Sequence, residues 1–181
     1  MKIKFYSLFA VFVVFLLFGC ASTSTILSKT REINVPELDG KIYISAIQYA
    51  GKSVQLTQNK FVKVNEDTKR LAILSFQIQN VKRKKIYDFS SIVLLDDDTR
   101  ISPDAIKYFR GNTSIGMDWG VGTKSLFSNS LTMVRNRKGK YTVNLIYAVD
   151  TDKLINKADF FGQIIEFEKE TVRMNVIDKF H

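Results

Sequence analysis

Polar and apolar positions alternate with a period of two along most of this chain. Ala72, Leu74, Phe76 and Ile78 alternate with Ser75, Gln77 and Gln79, and Tyr141, Val143, Leu145, Tyr147 and Val149 alternate with Thr142 and Asn144. Phe127, Leu131 and Met133 share one side of a segment whose other side carries Ser128, Ser130 and Thr132. Successive side chains of a strand point to opposite faces, so this pattern predicts strands with one buried side. Ile42 and Ile44 open an earlier strand, and residues 53–57, 61–64, 86–95 and 164–177 supply further candidates. The last changes phase between Phe167 and Val172, which fits either a bulged strand or a hairpin turning at Glu168-Lys169-Glu170. Helical signals are few. Thr151 or Asp152 caps a short helix over residues 153–158, and residues 103–109 allow one turn. Short strands separated by turns, without βαβ alternation, predict an all-β fold, an antiparallel sandwich over residues 41–181.

The N-terminus follows a different pattern. Lys2 and Lys4 precede an uncharged apolar run from Phe5 to Phe18. That run is shorter than the about 20 residues of a membrane-spanning helix and suits the hydrophobic region of a secretory signal, roughly 7–15 residues long. It ends in Leu17-Phe18-Gly19-Cys20, which holds the only cysteine of the chain. Leu17 three residues before the cysteine, Gly19 just before it and Cys20 itself resemble the lipobox of bacterial lipoproteins. Phe18 departs from the smaller residue usual there.

The resemblance implies a signal peptide over residues 1–19, removal of that peptide, and a diacylglyceryl thioether on Cys20. Each buried CH₂ contributes about 0.8 kcal/mol, so two or three acyl chains anchor stably where one does not. Cys20 is then a lipid attachment point and the membrane is a partner. Ala21, where inner-membrane lipoproteins often carry aspartate, implies the outer membrane. The competing reading is an uncleaved anchor in which Cys20 is an incidental thiol.

Loss of residues 1–19 from 181 leaves 162, and removes Lys2 and Lys4, so the formal charge falls from +9 to +7. That is the size of one domain. Residues 20–40 read as a lipidated tether: Ser22, Thr23, Ser24, Thr25 and Ser28 are small and polar, and Pro36, Asp39 and Gly40 break regular structure. Ile26, Leu27, Ile33, Val35 and Leu38 leave open that its second half docks on the domain.

Within the domain, residues 71–80 end in a polar Gln79-Asn80, residues 92–95 run into Asp96-Asp97-Asp98, and residues 131–134 and 141–147 flank a basic turn. These stretches resemble the immunoglobulin-like domains of unassigned function found in bacterial lipoproteins. The resemblance implies an immunoglobulin-like β-sandwich and no particular activity. The turn after Asp96 departs from the pattern in lacking glycine.

The chain offers little to catalysis. Its only histidine is His181, the final residue, so serine–histidine chemistry and histidine-based zinc sites are excluded. The glycines of residues 111–122 lack phosphate-loop spacing. Asp96-Asp97-Asp98 reads as a charged turn, because adjacent aspartates do not converge on one ion. No enzyme activity, metal or cofactor is expected.

Two basic clusters carry the functional expectation. Lys82-Arg83-Lys84-Lys85 and Arg135-Asn136-Arg137-Lys138-Gly139-Lys140 each sit between expected strands, as hairpin tips. They are either solvated turns that protect sheet edges or a surface for an anionic polymer, toward which a +7 domain is steered. The polymer reading requires both clusters at one end of the domain. Nucleic acid fits the charge but not the compartment, so none is expected. Trp119 and Met117, between glycines, are the candidate contacts for an envelope protein. The expected function is a non-enzymatic binding module of the cell envelope, and the alternative is an accessory subunit of an envelope complex.

Overall fold

The computed structural model describes residues 26–38, 40–57, 59–81, 86–110, 118–123, 132–134 and 139–170. They form strands throughout, with one short 3-10 turn at Pro36–Leu38 and no α-helix among the described residues. In chain order the strands are β1 (Ile26–Val35), β2 (Gly40–Tyr49), β3 (Ser53–Thr57), β4 (Lys60–Lys63), β5 (Lys69–Val81), β6 (Ile86–Asp88), β7 (Ile92–Asp96) and β8 (Thr99–Ile101). They continue as β9 (Ala105–Arg110), β10 (Asp118–Thr123), β11 (Thr132–Val134), β12 (Gly139–Asp150), β13 (Lys157–Phe160), β14 (Gln163–Glu166) and β15 (Glu168–Glu170).

A seven-stranded sheet runs in the order β10-β9-β12-β5-β2-β1-β15, and a four-stranded sheet in the order β14-β13-β7-β8. Two further pairs, β3 with β4 and β6 with β11, stand apart from these sheets. Every pairing is antiparallel. The protein is therefore all-β, as the alternation predicts.

The alternating strands place their apolar sides in one core. Phe76 and Ile78 of β5, Tyr141, Val143 and Leu145 of β12, and Ile42 and Ile44 of β2 are buried together with Ile92 and Leu94 of β7 and Phe160 of β13. The Phe76 ring meets Phe89 edge-on at 5.5 Å and Phe160 at 5.7 Å. Two tyrosine hydroxyls cross the same core: Tyr147 donates to the Ile92 carbonyl at 2.9 Å and Tyr49 to that of Ile155 at 2.7 Å. The two sheets thus share one interior. A smaller cluster on the opposite side of the long sheet (Leu56, Leu71, Ala105 and Ile146) seats the β3–β4 hairpin.

Several sequence expectations need correction. The strand-forming chain starts at Ile26, before the boundary at Lys41. β1 pairs with β2, and Ile33, Val35 and Leu38 are buried, so the second half of the expected tether is docked. The segment expected to form a helix over 153–158 is irregular and then enters β13, because its carbonyls are claimed from outside. Lys153 O accepts from Arg70 Nη2 at 2.7 Å, Ile155 O from Tyr49, and Asn156 O from the Phe167 amide at 2.7 Å. The Arg70 guanidinium also lies 4.1 Å over the Tyr49 ring.

Residues 105–110 are strand rather than helical turn, since β9 is hydrogen-bonded on both sides by β12 and β10. The candidate strand over 86–95 is divided. Asp88 Oδ1 accepts from the Ser90 amide at 2.9 Å and its hydroxyl at 2.7 Å, forming a local turn that passes the chain from β6 to β7. Residues 168–170 form β15, which joins β1 in the long sheet, while β14 belongs to the short one, so they are not a turn. Residues 131–134 and 141–147, expected to flank one turn, do not pair among the described residues, because β11 pairs with β6 and not with β12. Residues 124–131, which include Phe127 and Leu131, lie outside the described residues.

Two hairpin turns explain themselves. Asp97, at φ 49°, occupies the turn between Asp96 and Thr99, a position that favours glycine but that aspartate tolerates. Phe161 and Gly162, at φ 54° and 87°, form the turn between Phe160 and Gln163. A bulky residue there is strained, and its compensation is visible. Phe161 packs against the core, and the buried Asp159 carboxylate accepts from the Gly162 amide at 2.6 Å and from Arg100 Nη2 at 2.7 Å.

Candidate functional site

Of the residues singled out from the sequence, Cys20, Met117, Lys82, Arg83, Lys84, Lys85, Arg135, Arg137 and Lys138 lie outside the described residues. Lys140 is half-buried on β12, and Trp119 lies on β10 at the register position opposite Phe109.

The strands that flank the basic segments are described. Val81, before the first segment, pairs with Gly139, after the second. Ile86, after the first, pairs with Val134, before the second. Residues 82–85 and 135–138 therefore both connect the β5–β12 ladder to the β6–β11 ladder, leaving and entering at the same two paired positions. Among the described residues β5 pairs with β2 and β12, and β6 with β11, so the strands that flank each segment do not pair with each other. Four residues extend only about 3.3–3.6 Å each, so the described residues that border both segments, Val81, Ile86, Val134 and Gly139, lie at one corner of the fold.

Further cations stand at that corner. Tyr141, next to Lys140, pairs with Arg110, the last residue of β9. The Arg110 guanidinium lies across Gly139, where a Cβ would meet Nε at 3.1 Å, and Gly139 adopts φ 147°. Glycine at this position lets the guanidinium approach the backbone. On the neighbouring edge, Glu32 is bonded to both the Lys41 ammonium and the Tyr43 hydroxyl. The bond from Lys41, with that from Tyr43, holds the Glu32 carboxyl below its ordinary value, and the same contacts raise Lys41 and Tyr43.

The solvent side of the long sheet is ordered into rows. Register runs Glu32↔Tyr43, Tyr43↔Gln77, Gln77↔Thr142, Thr142↔Phe109 and Phe109↔Trp119, a single line across six strands. Tyr43, Gln77, Thr142 and Phe109 are half-exposed. The β3–β4 hairpin covers the far end of this face, with Lys107 Nζ donating to the Gln55 carbonyl at 3.1 Å. The sequence pattern marks Gln77 and Thr142 as polar strand positions and Trp119 as a contact candidate, and it does not single out Tyr43 or Phe109. Only strand order sets them side by side.

The acidic run has a structural role. Asp96 and Asp97 belong to the β7–β8 hairpin, and Asp96 pairs with Lys153 at 3.5 Å. Beside it an open depression of about 430 Å³ is lined in part by Asp97, Leu154, Lys157, Ile164 and Glu166. No cluster of three or more metal-ligating His, Cys, Asp or Glu side chains occurs among the described residues. Nor is any described helix long and apolar enough to cross a membrane. The chain matches no protein-family model, no curated protein and no solved structure.

Proposed function

We propose that this chain is a cell-envelope lipoprotein, anchored through lipid on Cys20, whose immunoglobulin-like β-sandwich binds an anionic envelope or host component without catalysis. The observation that supports the reading is the double pairing Val81↔Gly139 and Ile86↔Val134, which brings together the residues that border both basic segments. Arg110 and Lys140 add charge there. Cations gathered at one place raise the local concentration of a polyanion and its association rate. Ala21 after the lipidated Cys20 makes the outer membrane the proposed location, and that compartment disfavours nucleic acid as the ligand.

The test is binding of the full-length protein to an immobilised polyanion at low and high salt, beside a variant with Lys82–Lys85 and Arg135–Lys138 neutralised. Binding lost with salt and in the variant is expected, because screening acts within about 8–10 Å near physiological ionic strength. Equal capture by the variant overturns the reading. The second reading, an accessory subunit of an envelope complex, is favoured by β10, which carries Trp119 and ends the long sheet with β9 as its one partner there. It predicts protein capture that survives both salt and neutralisation. Cys20→Ser is expected to abolish lipid labelling and membrane association, and unchanged partitioning overturns the anchor.

A further inference from the structure

The solvent face of the long sheet has the chemistry of a reading surface. Its row Glu32–Tyr43–Gln77–Thr142–Phe109–Trp119 sets the hydrogen-bonding pair Gln77 and Thr142 between aromatic residues. Tyr43 and Phe109 stand three strands apart, about 14 Å at about 4.8 Å per step. Between them Gln77 and Thr142 offer donors and acceptors at successive steps. The bond from Tyr43 to Glu32 holds its ring in place before any ligand arrives. Lys41, Lys107 and Lys140 lie on the same side of the sheet, against the one carboxylate of Glu32 in the row, and beyond them the face leads to the corner where the basic segments begin and end.

We propose that this face seats a linear acidic polysaccharide, its sugar rings laid across the strands on Tyr43 and Phe109 and its carboxylates directed to Lys41 and Lys140. The inference rests on the anion-binding reading above and names its ligand. A pyranose ring presents an apolar C–H face that is attracted to the electron-rich face of an aromatic ring. Its hydroxyls are both donors and acceptors, which amide and hydroxyl side chains satisfy together. Its carboxylates form charge-assisted bonds with lysine and arginine. A polyphosphate has the charge without the rings, and a neutral glucan has the rings without the charge. The regular strand spacing suits a polymer of regular repeat crossing the sheet.

The experiment is calorimetric titration of the full-length protein in detergent micelles with three probes: polygalacturonate, polyphosphate of matched charge, and dextran of matched length. Polygalacturonate is expected to bind about tenfold more tightly than polyphosphate, and dextran weakly or not at all. Replacing Tyr43→Ala together with Phe109→Ala is expected to weaken polygalacturonate about tenfold, the order of two stacking contacts, and to leave polyphosphate unchanged. Tyr43→Phe keeps the ring and is expected to keep most of the affinity, and thermal melts establish that each variant is folded. Equal affinity for the two polyanions, unmoved by loss of the rings, overturns the polysaccharide inference and leaves the anion reading standing. Dextran bound as tightly as polygalacturonate overturns the acidic ligand. Binding of neither polyanion overturns both readings.

Discussion

The inner and outer faces of the seven-stranded sheet use the same strands for different ends. On β5, Phe76 and Ile78 are fully buried, while Gln77 between them is half-exposed. On β12, Tyr141 and Val143 are buried and Thr142 is not. The inner face is closed by the four-stranded sheet, and its side chains interlock. Among the described residues the outer face is closed at one end, by the β3–β4 hairpin. A side-chain period of two thus separates buried from exposed positions within single strands. Residues one position apart are expected to respond to mutation in different currencies, one in folding and the other in binding.

The comparison breaks most directly at Phe76. Phe76→Ala removes the ring that meets both Phe89 and Phe160 and is expected to cost about 3–5 kcal/mol of stability, read by denaturant unfolding. A loss below about 1 kcal/mol would show that the sheets do not depend on this core. Asp159→Ala comes next, at about 1.5–3 kcal/mol for hydrogen bonds to a charged group. Asp159→Asn keeps an acceptor for the Gly162 amide and is expected to lose less. Tyr147→Phe deletes the hydroxyl that crosses to Ile92 and is expected to cost about 1 kcal/mol.

The core tyrosines also sharpen the contrast through pH. Burial pushes Tyr49 up to about 12, against the partial offset of its bond to Ile155, and drives Tyr147 above its ordinary value of 10.0. A raised phenol favours the neutral form in the folded state. Its contribution is whole below pH 10 and is lost as pH climbs through about 12. Tyrosinate absorbance and unfolding are expected to rise together in that window. Ionisation of Tyr49 well before unfolding would contradict its burial. The smallest effect belongs to the outer face: Gln77→Ala is expected to change stability by no more than about 0.5 kcal/mol, and a larger loss would place Gln77 in the core's account.

Much of the sheet was legible from alternation alone. β5 and β12 coincide with the two clearest polar–apolar repeats, and β3 falls on residues 53–57. The failures share a cause. Residues 153–156 follow a candidate helix cap at Thr151 or Asp152, yet their carbonyls at 153, 155 and 156 are taken by Arg70, Tyr49 and Phe167, which lie outside the segment. Asp88 and Ser90 form a turn whose signal was present but was outweighed by the apolar residues around it. The Phe161-Gly162 turn was hidden because phenylalanine rarely occupies a left-handed position.

For the candidate site, the sequence supplied the residue types: the basic segments, Trp119, and the half-polar strands. It did not supply their proximity. Local pattern determines which side of a strand is apolar, because neighbouring residues along one chain set that. Which strands become neighbours depends on contacts between residues far apart in sequence. β11 therefore pairs with β6 rather than β12, and the strand order β2-β5-β12-β9 aligns Tyr43, Gln77, Thr142 and Phe109 in a row.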